Sequence, residues 1–300
     1  MGIDRLSDIY PVLLGKAPRR LVVANGIDAH TLAAVSAAVD KGIVTAVVTG
    51  DSAGVKKACD ELSIDSGKFE IQHASNESEA AELAVSIIAG GGGDLMMKGL
   101  VSTDKFMRAI LNKEHGLLPP KAILSHVTVV QHQLYHKLLV VGDVAIIPYP
   151  DLQQKLAILG YLAATARALG RKLPKVAIIA ATEQVLSSML ACTDAAILSK
   201  MSERGQIKNA IVDGPLSFDA AIDEASAKIK GIVSKVAGDA DCLLFPNIEA
   251  GNLFYKMSTK LCESEQAAMV TGARVPIVLS SRGDSEATKL NSIALAALLS

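Results

Sequence analysis

The sequence has no tryptophan, and its five Phe and five Tyr among 300 residues form no stacking series of the kind a single-strand nucleic-acid binder uses. Thirty basic residues against thirty-one acidic leave a net charge of −1, so the chain offers no long-range attraction to a phosphodiester backbone, and any anion site must be local. The four cysteines, Cys59, Cys192, Cys242 and Cys262, are far apart and form no CxxC pair, which argues against a zinc knuckle and a disulfide framework and fits a reducing cytoplasm. No apolar run approaches the roughly 20 residues of a membrane span, the start lacks an apolar signal core, and Leu6 breaks a myristoylation pattern. The expectation is a soluble cytoplasmic protein with neither nucleic-acid nor membrane partners.

What is present is aliphatic. Half the residues are apolar but only 3% are aromatic, so Ala, Val, Ile and Leu must build the core, as in buried parallel strands covered by Ala-rich helices. Short β-branched runs at 21–24, 44–48 and 95–97 alternate with helical patterns at 28–41, 52–62, 77–89 and 103–111. Segments 127–130 and 138–147 read as paired antiparallel or mixed strands. A second series follows, with helices at 152–169, around 185–189, at 218–233 and at 251–261, and strands at 176–179, 210–212, 242–245 and 275–279. The last segment, 284–299, is a helix capped by Asp284 or Ser285. Pro119-Pro120 marks a domain boundary. The expected division is one α/β domain of residues 1–120 plus about 276–300, and a second of 121–275.

The glycine run at 90–93 follows a helix and precedes a strand, the reverse of a phosphate loop, and reads as a helix C-cap and turn. Met97-Lys98-Gly99-Leu100-Val101-Ser102-Thr103 has the useful order: strand, turn, then a hydroxyl cap opening a helix. Free amides and the Lys98 ammonium there suit a phosphate or carboxylate, although an ordinary turn with a solvated lysine has the same pattern. Arg108, five residues past Thr103, faces the same site or solvent. Ser280-Ser281-Arg282-Gly283-Asp284-Ser285 gathers hydroxyls, a guanidinium and a carboxylate where a strand gives way to a helix, the set needed to hold a tetrahedral anion and move a proton. Asn247, Glu249 and Asn252 follow a third strand and read either as one wall of the same site or as helix caps; Asp213 to Asp219 holds a fourth such position. His132 and His136 have the spacing of a metal pair only if helical, with no third ligand in view, so no metal is expected.

Taken together, the segments LMMKGLVSTDKFMRAILNKEHGL, AILSKMSERGQI, VDGPLSFDAAI, VAGDADCLLFPNIEAGN and SSRGDSEATKLNSIALA closely resemble phosphate butyryltransferases, in order over most of residues 94–300. KGLVSTDKFMRAIL and the KLNSIALA ending are closer to the butyryl than to the acetyl branch. The resemblance implies two α/β domains around a cleft, similar in fold to isocitrate and isopropylmalate dehydrogenases, in a homodimer or higher homo-oligomer. It implies coenzyme A as a substrate rather than a tightly bound cofactor, with acyl-CoA, inorganic phosphate and acyl phosphate as the small-molecule partners. It further implies direct transfer, the coenzyme A thiol attacking the acyl phosphate with no acyl-enzyme.

By the same resemblance Ser281 lies near the reacting carbonyl, Arg282 holds phosphate, and Arg108 meets coenzyme A. The acetyl branch has an aspartate seven residues past that serine, where this chain has Thr288; the nearest carboxylates are Asp284 and Glu286, and Asp284 is the expected base. The alternatives are a phosphate acetyltransferase, a metal-dependent dehydrogenase on the same fold, for which no aspartate cluster is seen, and a complex-bound acyl-transfer subunit.

Overall fold

A computed structural model describes residues 2–279 and 284–300. In chain order the helices and strands are α1 (Ile9–Leu14), β1 (Arg19–Ala24), α2 (Ala29–Asp40), β2 (Val44–Gly50), α3 (Ser52–Glu61), β3 (Phe69–His73), α4 (Glu77–Ala89), β4 (Leu95–Lys98), α5 (Thr103–Ile110), β5 (Ser125–Gln131), β6 (Leu139–Gly142), α6 (Leu152–Ala168), β7 (Lys175–Ile179), α7 (Leu190–Glu203), β8 (Ile211–Leu216), α8 (Phe218–Ile222), α9 (Glu224–Ile229), β9 (Cys242–Leu244), α10 (Ile248–Lys260), β10 (Glu265–Thr271), β11 (Ile277–Val278) and α11 (Glu286–Leu299). The chain divides into two compact units, one of Met1–Leu6 with Ser125–Gln266 and one of Ser7–Leu124 with Ala267–Ser300.

In the Ser7–Leu124 unit the strand order is β3-β2-β1-β4-β11-β10. All neighbours are parallel except β10 and β11. β4 is buried along its whole length and β1 over its last four residues, the pattern of strands covered on both faces. Helix starts are set by side-chain caps: Asp28 accepts from Thr31 N at 2.9 Å and Asn76 from Glu79 N at 3.1 Å. α4 ends at Gly90, and Gly91 takes a φ of 77°, the helix stop expected of the glycine run.

In the Ser125–Gln266 unit the order is β5-β6-β9-β7-β8, with β5 antiparallel to β6 and the rest parallel. A core of Val130, Val141, Ile179, Leu243 and Phe245 lies against Leu216 and Val236. α6 opens with a capping box, Asp151 accepting from Gln154 N at 2.8 Å while Gln154 reaches back to Asp151 N at 2.9 Å. Among the described residues no helix is long and apolar enough to cross a membrane.

Several elements differ from the sequence reading. Residues 185–189, expected as helix, form irregular chain before α7 begins at Leu190. The expected helix 218–233 is two short helices, broken at Asp223, whose extended backbone (φ −120°, ψ 116°) lets its carboxylate cap α9 through Ser226 N at 2.8 Å. Strand pairing over 275–279 is confined to β11, since Pro276 has no N–H to give a ladder. β3 and β10 were not foreseen: each carries polar or alanine residues where β-branched ones would signal a strand. β10 pairs with β11, so chain from Ala267 rather than about 276 groups with the Ser7–Leu124 unit. Residues 2–6 group with the other unit through Ile3 N to Leu169 O at 2.9 Å and Leu6 N to Gln131 Oε1 at 2.7 Å.

Candidate active site

The strand order of the Ser7–Leu124 unit reverses direction between β1 and β4, so the chain leaves these neighbouring strands toward opposite sides. Crevices outside the carboxyl ends of strands at such a switch point are where open α/β sheets bind ligands. Ala24 and Lys98 are register partners there. Lys98 is only 8% exposed, its ammonium 3.4 Å from the carbonyl oxygen of Gly99. On the far side of β4, Val278 of β11 pairs with Met97, so the next residue, Leu279, is level with Lys98. Ser281 and Arg282 lie outside the described residues.

The chain is described again at Asp284, half-buried and just outside α11. Ser285, not Asp284, is the cap, accepting from Thr288 N at 3.1 Å. Thr288 Oγ1 lies 3.0 Å from Ser285 Oγ, turned to the cap. Glu286, in the first turn, is exposed and faces His30 Nδ1 at 3.6 Å.

The start of α5 departs from the expected cradle. Ser102 is its cap, accepting from Lys105 N at 3.4 Å, and Thr103 is the exposed first helical residue. Glu77, from the start of α4, accepts from Ser102 N at 2.8 Å and from Lys105 Nζ at 2.6 Å. Hydrogen bonds from Lys105 and then from Ser102 hold its carboxyl below the usual range. An internal carboxylate thus takes one of the amides that a bound anion was expected to use. Arg108 points outward and pairs with Asp104 at 2.8 Å, one turn back. It lines an open pocket of about 860 Å³ between α4 and α5, with Lys105, Asn112, His115 and Arg274.

The third group of candidates lies in the Ser125–Gln266 unit. Asn247 caps α10, accepting from Ala250 N at 3.0 Å. Glu249 is exposed and accepts from Tyr149 Oη at 2.5 Å; that bond lowers the carboxyl pKa and raises that of the phenol. Asn252 Nδ2 donates to Val144 O at 3.0 Å. The helix start is seated on Asp143, because a Cβ on Gly251 would come within 2.3 Å of the Asp143 carbonyl oxygen. Asp143 is 2% exposed and accepts from four donors: Ser125 Oγ (3.0 Å), His126 N (3.2 Å), Ala145 N (2.7 Å) and Ile146 N (2.9 Å). Sequence reasoning passed over both Asp143 and Asn25, the residue after β1. The visible signals were a Gly-Asp and an Asn-Gly pair, each at a strand end.

At the fourth strand end Ser217 donates to Asp219 Oδ1 at 2.6 Å, and Lys230 Nζ lies 2.7 Å from Ser217 Oγ. Hydrogen bonds from Ser217 and then Lys230 lower Asp219 to about 2, and bonds to Asp219 and Glu183 raise Lys230. Lys230 is therefore a held cation, unsuited to act as a base for Ser217. His132 and His136 lie in the turn between β5 and β6, where His136 pairs with Asp239 at 3.0 Å. Among the described residues no group of three or more His, Cys, Asp or Glu is placed to hold a metal ion. Burial raises the Cys242 thiol well above its ordinary range, the opposite of an activated nucleophile.

The likeness of this chain to characterised proteins extends over nearly its whole length. The family described as Phosphate acetyl/butaryl transferase matches residues 7–89 and 77–297. Phosphate butyryltransferase of Clostridium acetobutylicum is 42% identical over 297 residues, covering 99% of this chain and 98% of that protein. Phosphate acetyltransferase of Rhizobium meliloti is 40% identical over 283 residues, 94% of this chain and 89% of that one. The crystal structure of a branched-chain phosphotransacylase from Enterococcus faecalis V583 superposes with a TM-score of 0.82 at 28% identity, covering 94% of this chain and 98% of that one. A 4-hydroxythreonine-4-phosphate dehydrogenase from Burkholderia phymatum, at a TM-score of 0.56 and 13% identity over 95% of this chain and 99% of that one, shares the fold alone. That dehydrogenase likeness agrees with the α/β fold class drawn from the sequence. The chain belongs to the phosphate acetyl/butaryl transferase family and is a phosphate acyltransferase.

Proposed function

We propose that this acyltransferase moves a butyryl group between coenzyme A and inorganic phosphate at the carboxyl ends of β1, β4 and β11. The observation that carries the site is the position of Lys98, a nearly buried ammonium at the switch point, level with the end of the strand that leads into Ser281 and Arg282. In the direction of acyl-CoA formation the thiol sulfur attacks the carbonyl carbon of butyryl phosphate and the C–S bond forms. The thiol proton passes to Asp284. Charge builds on the carbonyl oxygen, to which Ser281 donates, and the C–O bond to phosphate then breaks. Arg282 and Lys98 neutralise the departing phosphate. Thr103 and Arg108 contact coenzyme A. Each of these roles needs only side chains of this protein, with coenzyme A and phosphate as substrates.

The butyryl reading is supported by the KGLVSTDKFMRAIL and KLNSIALA segments and by the 42% identity to the Clostridium acetobutylicum enzyme. The acetyl reading draws on the 40% identity to the Rhizobium meliloti enzyme. A series of acyl-CoA substrates at saturating phosphate decides between them: the proposal expects kcat/KM to peak at four carbons, and a peak at two carbons transfers the assignment to acetyl.

Arg282 is expected to bind the transferred phosphate through paired donors. Lysine offers one compact charge instead, so Arg282→Lys should raise the phosphate KM and lower turnover. Unchanged phosphate kinetics in that variant would remove Arg282 from the site.

A further inference from the structure

One residue joins the two strand ends of the switch point. Asn25 has a φ of 55°, in the left-handed region that crowds a Cβ, and Asn is among the few residues that tolerate it. It is 5% exposed. Its carbonyl accepts from Leu100 N at 2.8 Å, while its side-chain Nδ2 donates to Leu100 O, so a single residue takes both backbone polar groups of Leu100. Its own N–H points to Thr49 Oγ1 at 3.3 Å, at the end of β2. The fit leaves no slack, since a Cβ on Gly99 would lie 2.4 Å from the Asn25 carbonyl oxygen, and one on Gly26 would lie 2.7 Å from Val48 Cγ1. The turn Lys98-Gly99-Leu100 is thereby held to the carboxyl end of β1.

Left-handed backbone is costly at a residue with a Cβ and persists only where its surroundings hold it. Glycine would relieve that cost, but it would leave the Leu100 carbonyl without its donor. We propose that Asn25 is a positioning residue for the transfer reaction: its amide fixes the Lys98-Gly99-Leu100 turn so that the Lys98 ammonium meets the phosphate group. The inference rests on the reading of Lys98 as an anion-binding residue, and it extends that role to a side chain that need not touch substrate.

The test is a double-mutant cycle in the phosphorolysis of acyl-CoA, run well below the melting temperature of every variant. Asn25→Gly keeps the left-handed turn and removes the donor; it should raise the phosphate KM roughly five- to tenfold, with the acyl-CoA KM within about twofold. Asn25→Asp keeps the side-chain shape but sets an acceptor against the Leu100 carbonyl, and it should show the same pattern more strongly, also serving if the glycine variant does not fold. Lys98→Met should raise the phosphate KM further, and Asn25→Gly combined with Lys98→Met should be no worse than Lys98→Met alone. A lowered melting temperature with unchanged phosphate KM would reduce Asn25 to a purely structural part. Factors that multiply in the double variant would mean that it acts apart from Lys98, and either result overturns the proposal. An unchanged phosphate KM in Lys98→Met alone would remove Lys98 from phosphate binding and take the inference with it.

Discussion

Asp284→Asn is expected to lower kcat for thiol attack by roughly 10²–10⁴, the usual worth of a positioned acid or base, with the coenzyme A KM little changed. A thiol with a free pKa of about 8.5 is mostly protonated at neutral pH, so a nearby carboxylate that accepts its proton acts directly on the step that makes the nucleophile. A competing explanation for a carboxylate at this point is helix capping, in which case Asn would be nearly silent. The structure gives that duty to Ser285, which accepts from Thr288 N at 3.1 Å. Asp284 is the residue just before that cap and is half-buried. Glu286 is the other candidate, but it is exposed and lies 3.6 Å from His30. Glu286→Gln should therefore change kcat by less than about threefold, the scale of a surface ion pair. Pre-steady-state thiol consumption in the two variants separates the residues. A silent Asp284→Asn with a crippled Glu286→Gln would move the base to Glu286, and two silent variants would mean that the thiolate is drawn from solution.

Asp143→Ala should produce the largest loss of stability, about 3–5 kcal/mol, because it removes the acceptor for four donors around a residue that is 2% exposed. Asp143→Asn keeps one carbonyl oxygen and should lose about half as much. The loss should be felt first at the start of α10, where Gly251 packs without room for a Cβ against the Asp143 carbonyl and Asn252 bonds to Val144 O at 3.0 Å. Chemical denaturation gives the magnitude, and amide hydrogen exchange across residues 247–252 gives the place. An Asp143→Ala protein within about 1 kcal/mol of the parent, with α10 protection unchanged, would show that water replaces the carboxylate at little cost.

What could be read from the sequence follows from how local each signal was. β1, β2 and β4 appeared as apolar runs because helices cover them on both faces, and α4 appeared with its full bounds because Asn76 and Gly90 bracket one uninterrupted pattern. β3 and β10 were hidden because their pairing with β2 and β11 outweighs weak local propensity. The Lys98 turn stood out as strand, turn and capped helix. Two things about it did not: Glu77 reaching from another helix to occupy the Ser102 amide, and Asn25 clamping Leu100 from 75 residues away. Both are long-range hydrogen bonds between segments whose own patterns are complete without them. Thr103 and Glu249 were chosen for residue type at promising strand ends, and Arg108 through the family resemblance of its helix; the structure sets each at the surface, Arg108 and Glu249 already paired, with Asp104 and Tyr149. Asn247 and Asn252, chosen with them, hold backbone groups of their own unit.

The most direct test is release of free thiol from butyryl-CoA by the purified protein, followed with and without inorganic phosphate and in the presence of a metal chelator. The expected result is release that depends on phosphate, forms one butyryl phosphate per thiol and is indifferent to the chelator. Release at the same rate without phosphate, or none from any short acyl-CoA, would contradict the assignment.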